Sequence, residues 1–316
     1  MQPGTLACRS KGASKKGDDM AVLGKGNAHG ACSLLHAAAL GYGAGMALDL
    51  PVTVRLLDRP SKREVSDDDG VLEALLSAWM NAGHPLPEGF DRDDLHWGVN
   101  SKIPKKQGLK SSAAICVAAL RALCSATNTT LQPAEMVSLA AEAQTSAGVS
   151  LTGSIDDAWA CMTPGWKLVD VQAPIAEGVL MDEAGLSEED WAVLLVLRGP
   201  RPQQPTLEDF ASQVMAFQQA LVALQENNPL VAMTWNGRGT VAALRDAEGR
   251  KMANDSFMNS ARAAGISGSG PALVIVIPAQ QTPTIERIKS WYSTRFPDAK
   301  IVETTFLSTE IEDELE

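Results

Sequence analysis

Three short stretches carry the residue types that could do chemistry. Residues 104–114 read PKKQGLKSSAA and run directly into the apolar ICVAALRAL. In such a stretch a glycine lets the backbone approach an anion closely. Serines can cap the helix behind them or offer hydroxyls to phosphate and Mg2+. The first N–H groups of that helix lack intrahelical partners and attract negative charge. Lys102, Lys105, Lys106 and Lys110 concentrate positive charge just ahead of the helix. The stretch is not a Walker loop: Leu109 separates Gly108 from Lys110, and Ile103 stands where the first glycine of that pattern belongs. Taken alone, it reads equally well as a serine-capped buried helix behind a solvated lysine run.

The second stretch, TGSIDDAW (152–159), sets Asp156 and Asp157 side by side among small residues. They suit a general base, or simply the N-cap of a following helix. The third, ISGSGPALVIVI (266–277), is a small-residue turn with three candidate positive-φ glycines, Gly265, Gly268 and Gly270, feeding an apolar strand. GKGNAHG (24–30) misses the dinucleotide pattern GxGxxG by one residue.

The elements that must position these stretches follow from periodicity. A strand is expected at 50–57, where β-branched residues alternate around Thr53 and Arg55. A short helix is expected at 33–40. Ser66 and the three aspartates after it open a helix that ends at Gly83. A strand at 95–103 leads into the lysine-rich loop, and helices follow at 112–126 and 133–147. Beyond residue 170 the pattern predicts strands at 191–197, 271–277 and 300–307. Helices are expected at 207–225, 229–244, 254–264 and 285–296, with a proline-rich loop at 198–205. Strands and helices mixed without strict βαβ alternation predict an α+β protein.

A chain of 316 residues exceeds one modest core, so two domains are expected. The boundaries drawn are a tail or misassigned start at 1–19 (translation then beginning at Met20), a first domain at 20–168 and a second at 169–316. A formal charge of -11 argues against nucleic acid or an anionic membrane as the main partner, since both demand a basic face. Five cysteines, Cys8, Cys32, Cys116, Cys124 and Cys161, form no CxxC pair and no zinc spacing. They suit a reducing, cytoplasmic setting. Residues 26–48 contain no Asp, Glu, Lys or Arg. Their glycines and Asn27, His29 and His36 nevertheless favour buried strand, helix and turn over a membrane span.

Together, PxxxGLxSSAA, the small-residue-Asp motif some forty residues on and SGSGPA in the C-terminal third resemble the GHMP kinase superfamily. The resemblance covers most of the chain. GLKSS with TGxxDDA and AGISGxGP is similar to the archaeal-type shikimate kinases, as are AHGACSLLHAAALGYGAGMALDLPVTVRL and NPLVAMTWNG. It implies a two-domain GHMP fold, with an N-terminal ATP-binding α+β domain and a C-terminal ferredoxin-like α+β domain. It implies a Mg2+- and ATP-dependent kinase placing the γ-phosphate on the 3-hydroxyl of shikimate, in aromatic amino acid biosynthesis.

By the same resemblance Pro104, Lys105, Lys106, Gln107, Gly108, Leu109, Lys110, Ser111, Ser112, Ala113 and Ala114 form the nucleotide loop. Ser112 and Glu142 are the Mg2+ ligands, and Ser111 meets phosphate. Asp156 is the catalytic carboxylate, with Asp157 as the alternative, and Lys110 neutralises phosphate charge. Ser267, Gly268, Ser269 and Gly270 form a substrate-side turn. Arg198 and Arg238 are candidates for a substrate carboxylate, while His29 and His36 read as structural. The sequence departs from the branch at Ser33 and His36, where Thr and Asn are usual, and in its proline-rich 198–205. Other readings are a kinase for another small alcohol, such as homoserine or mevalonate, and a non-catalytic small-molecule sensor on the same fold. The sequence leaves the oligomeric state open.

Overall fold

The computed structural model describes residues 20–60, 67, 69–187, 189–199 and 205–308. The expected tail at 1–19, Ser66 and Asp68 of the helix-opening run, and most of the proline-rich loop lie outside the described residues. In chain order the first lobe holds β1 (Val22–Leu35), β2 (Tyr42–Leu57), α1 (Val71–Asn81), β3 (His96–Ser101), α2 (Ser111–Thr127), α3 (Pro133–Ser146), α4 (Ile155–Met162), β4 (Trp166–Asp170) and β5 (Val179–Glu183). The second lobe holds β6 (Trp191–Leu197), α5 (Leu207–Ala211), α6 (Val214–Gln225), α7 (Pro229–Ala243), α8 (Ala247–Met258), β7 (Ala263–Ile266), β8 (Leu273–Pro278), α9 (Thr282–Arg295) and β9 (Lys300–Thr304).

The first sheet runs β1-β2-β4-β5, with β3 paired to the far half of β2. It takes its last strand from residues 179–183, so the boundary expected after residue 168 falls inside β4. The second sheet has the order β7-β8-β6-β9, antiparallel throughout, as in a ferredoxin-like domain. Alternation along β6 divides its burial between two layers. Val193 and Leu195 face the core shared with Phe210 and Phe217, and Leu194 and Val196 face Ile285, Ile288 and Tyr292 of α9. Beyond β9 the chain crosses to the first sheet: Leu307 N donates to Ala47 O, and Asp49 N to Thr305 O.

The helix expected at 33–40 is instead the end of a strand. β1 continues to Leu35 in register with β2 (Cys32 opposite Met46, Ser33 opposite Gly45), and only a 3-10 turn follows at Ala37–Ala39. Pairing across the hairpin overrides the helical preference of an alanine-leucine run. The apolar 26–48 is therefore a buried hairpin, and among the described residues no helix is long and apolar enough to cross a membrane. The helix at 207–225 divides into α5 and α6. The one expected at 254–264 shifts to Ala247–Met258, leaving 263–266 to β7. Asp67 caps α1 as its acidic opening suggests, accepting from the N–H groups of Val71 and Leu72 at 2.9 Å each.

GKGNAHG lies in β1, where it seats a helix. A Cβ at Gly26 would stand 2.2 Å from Ala118 O, and one at Gly24 would stand 2.1 Å from Ala122 O, so α2 rests directly on the bare strand. That close seat aims the N-terminus of α2 toward the turn after β7.

Candidate functional site

The turn before α2 is built on left-handed backbone. Gly108 has φ +77 and Lys110, the N-cap of α2, has φ +63. Gly108 is required twice over, because a Cβ would also stand 2.1 Å from Ser267 O. The two glycine turns thus lie back to back. The Ser267 hydroxyl donates to Gly108 O at 2.8 Å and accepts from Ser33 N at 3.0 Å, and Gly268 N donates to the Ser33 hydroxyl at 3.0 Å. Ala272 N donates to Gln107 O at 3.2 Å. Ser33, fully buried, ties the Ser267–Gly268 turn to β1, and Ser267 bridges that turn to the Gly108 loop, 159 residues away in sequence.

The paired carboxylates occupy the first turn of α4, behind Ser154 at φ +53. Asp156 is 4% exposed, and its Oδ1 is buried without a hydrogen-bond partner. Its carboxyl lies where a side chain on Gly43 would be, since a Cβ there would stand 2.2 Å from Asp156 Oδ2. Burial foremost, then the neighbouring Asp157, push the Asp156 carboxyl up to about 7, against the pull of Lys110. The Lys110 ammonium, itself buried, is ion-paired with Asp157. Burial presses Lys110 toward its neutral form, but Asp157 and Asp156 outweigh it and hold the ammonium above the usual lysine range.

These groups surround a cleft of about 190 Å3. Gly108, Lys110, Ser111 and Ser112 form one wall, and Asp156 and Asp157 another. Gly268 and Ser269 close a third side, with Ser150, Thr152 and Ser154 as a hydroxyl-bearing rim. Lys106 also lines it, paired with Asp69 at 3.2 Å. The arrangement can hold an oxyanion at a helix N-terminus while a poorly solvated carboxylate takes a proton beside it.

The structure brings together Lys106, Gly108, Lys110, Ser111, Ser112, Asp156, Gly268 and Ser269. Leu109, Ala113 and Ala114 are core residues behind the loop. Gln107 is buried, its side-chain amide donating to Gly199 O, whereas Pro104 and Lys105 lie outside the lining. Of the C-terminal turn, Ser267 is the bracket just described, and Gly270 N closes the turn onto Ser267 O. Gly268 and Gly270 have positive φ; Gly265 does not, and lies in β7 against Gly237 of α7.

Glu142, expected as a Mg2+ ligand, is exposed on the outer side of α3 and lines no part of the cleft. Two residues along a helix is about 200° of rotation, so the residue turned inward is Gln144. Its Oε1 accepts from the Ser112 hydroxyl at 3.1 Å and its amide donates to Ala140 O. Among the described residues no cluster of three or more His, Cys, Asp or Glu could hold a metal. A hydroxyl oriented by an amide oxygen still fits Mg2+, which keeps most of its shell as water and substrate phosphate.

Arg198 is engaged elsewhere: it pairs with Asp246 at the head of α8 and donates to Pro271 O at 2.8 Å. Arg238 stacks on Trp235, 4.5 Å from the ring centroid, outside the lining. His29 is buried, and burial takes its imidazole down to about 4, with Asp49 opposing and Arg121 reinforcing. His36 does line the cleft, its ring 4.2 Å from that of Phe210 and its Nδ1 accepting from Ala38 N. Burial raises the thiols of Cys32, Cys116 and Cys161, so none offers a ready thiolate. Sequence reasoning passed over Gly43, the Ser33 clip and Gln144. The only signal for Gly43 was the alternating glycine of GYGAG, which marks one bare face of a strand.

The sequence profile of the GHMP kinases N terminal domain matches residues 71–165, which contain α2, α3 and both aspartates. The shikimate kinase of Pyrococcus furiosus is 31% identical over 173 residues, 52% of this chain and 60% of the relative. That of Methanococcoides burtonii is 24% identical over 290 residues, 85% of this chain and 92% of the relative. In its alignments at 30% identity or more, the chain spans 60%, 49% and 51% of the length of the curated relatives it matches. In fold it superposes on the Methanococcus jannaschii mevalonate kinase with a TM-score of 0.64 and 13% identity, covering 93% of this chain and all of that one.

Proposed function

We propose that this chain, which belongs to the GHMP kinase superfamily, is an ATP-dependent kinase whose substrate is shikimate, phosphorylated on its 3-hydroxyl. One observation carries the reading: a buried carboxylate with an unpartnered oxygen, Asp156, shares a cleft with the N-terminus of α2 and the Lys110 ammonium. Phosphoryl transfer requires little else, because its demands are positioning and the stabilisation of charge on the moving group.

The N–H groups of Ser111 and Ser112 and the Gly108 turn would receive the triphosphate, with Lys110 at the head of the helix. Ser112, oriented by Gln144, would be the protein ligand of Mg2+. When bound with the triphosphate, Mg2+ neutralises phosphate charge. Asp156 would accept the proton of the attacking hydroxyl, and a carboxyl near neutrality suits that task. The hydroxyls of Ser150, Thr152 and Ser269 give the rim donors and acceptors that match a substrate carrying several hydroxyls. The choice of shikimate over another small alcohol rests on the archaeal relatives and on GLKSS with TGSIDDA.

The test is ADP release from Mg-ATP across shikimate, homoserine, mevalonate and galactose. Turnover is expected with shikimate; a preference for any of the others at comparable concentration contradicts the reading.

A further inference from the structure

The floor of the cleft holds one cation for two carboxylates. Lys110 is ion-paired with Asp157, whereas Asp156, one residue earlier, keeps its Oδ1 unpartnered. Adjacent residues leave a helix about 100° apart. Asp156 therefore points back against Gly43 of β2, and Asp157 stands on the more exposed side, beside the ammonium. Lys110 is not free to choose its place: its backbone is the left-handed N-cap of α2, and its carbonyl accepts from the Cys161 thiol at 3.8 Å.

The groups that face Asp156 can be named element by element. α4 contributes Asp157 and the neutral thiol of Cys161, the head of α2 contributes Lys110, and β2 contributes the bare backbone of Gly43. His36 lines the same cleft.

We propose that Asp157 is a positioning residue: it claims the Lys110 ammonium, withholds it from Asp156, and so leaves Asp156 basic enough to take a proton from an alcohol. This rests on the reading of Asp156 as the base. An ammonium bonded to a carboxylate stabilises the charged form and weakens the base, and a neighbouring negative charge does the reverse. Asp157 supplies both effects at once. In the step served, the alcohol proton passes to Asp156 as the alcohol oxygen bonds to the γ-phosphorus. The bond from that phosphorus to the bridging oxygen breaks, and ADP leaves with its electron pair.

The test needs no substrate. Asp156 binds its proton more tightly folded than unfolded, so its contribution to stability is full below the unfolded pKa of about 4. That contribution is lost as pH rises toward about 7. Unfolding by urea is measured across pH 4–8 for the wild type and D157N, each set against the same protein carrying D156N. The difference curves cancel His29, whose lowered value acts in the opposite sense over part of that window.

With Asp157 neutral, Lys110 turns to Asp156, and the window should close at least one pH unit lower. The conservative D157E should restore the wild-type window, which a merely structural role does not predict. D157S is read by the same curve if the amide is not tolerated. A D157N or D157S curve closing at the wild-type pH overturns the proposal. If shikimate is not turned over at all, the substrate reading fails while these curves still decide the pairing.

Discussion

The carboxylate of Asp156 occupies the space that any side chain at position 43 would need, since a Cβ on Gly43 would stand 2.2 Å from its Oδ2. Strand and acid are thus fitted to each other: the bare face of β2 is what lets the first turn of α4 sink its acid into the floor of the cleft. Gly43→Ala is expected to force Asp156 out of place. Overpacking of this kind costs about 1–3 kcal/mol of stability, but the larger effect falls on kcat. Urea melts beside steady-state rates check this, and a variant with wild-type kcat would contradict the fit.

The Gly108 turn offers a sharper comparison. Gly83 and Gly108 both have strongly positive φ, yet a Cβ at Gly83 meets nothing within 4 Å, while one at Gly108 meets Ser267 O at 2.1 Å. Gly83→Ala should cost only the left-handed backbone penalty, about 1–2 kcal/mol, with ATP affinity unchanged. Gly108→Ala should cost more and weaken ATP binding, read by calorimetric titration.

Ser33 fastens the Ser267–Gly268 turn to β1 through one hydrogen bond given and one received. Ser33→Ala leaves the buried Gly268 N–H without its acceptor, a loss of about 1–3 kcal/mol. The loosened turn should raise KM more than it lowers kcat. Equal falls in kcat and kcat/KM would instead place Ser33 in the chemistry itself.

Arg198 bonds both Asp246 and Pro271 O. Arg198→Ala should therefore lose about 1.5–3 kcal/mol of stability and leave the substrate KM unaltered. A large rise in KM with unchanged stability would return Arg198 to the substrate site.

The acid limb of kcat/KM should reflect Asp156. A base must be ionised to act, so activity is expected to rise with pH through about 7 and to level off above it. A limb near the ordinary carboxylate range would mean that Asp156 is solvated or is not the base.

The three chemical stretches were legible in the sequence because each combines glycine, small residues and a polar group at fixed offsets, and local geometry follows from such offsets. So were most strands and helices, whose periodicity is written along the chain. What was not legible depended on partners distant in sequence. Residues 33–35 read as helix because their strand partners, Gly45 for Ser33 and Ala44 for Leu35, lie beyond an intervening turn. Glu142 drew a metal role from the family resemblance, but the phase of α3 turns Gln144 inward instead. Arg198 looked like a cation awaiting a ligand until Asp246, 48 positions on, was seen to hold it. Lys110 read as a phosphate ligand; its pairing with Asp157 is a fact of how α4 meets the head of α2.

The most direct measurement compares wild type and Asp156→Asn with Mg-ATP and shikimate at pH 8, with the ATP dissociation constant determined in parallel. The amide keeps the shape of the site and removes the base. Turnover should fall about 10²–10⁴-fold with ATP affinity unchanged. Near-normal turnover in the variant, at unchanged ATP affinity, would contradict the account.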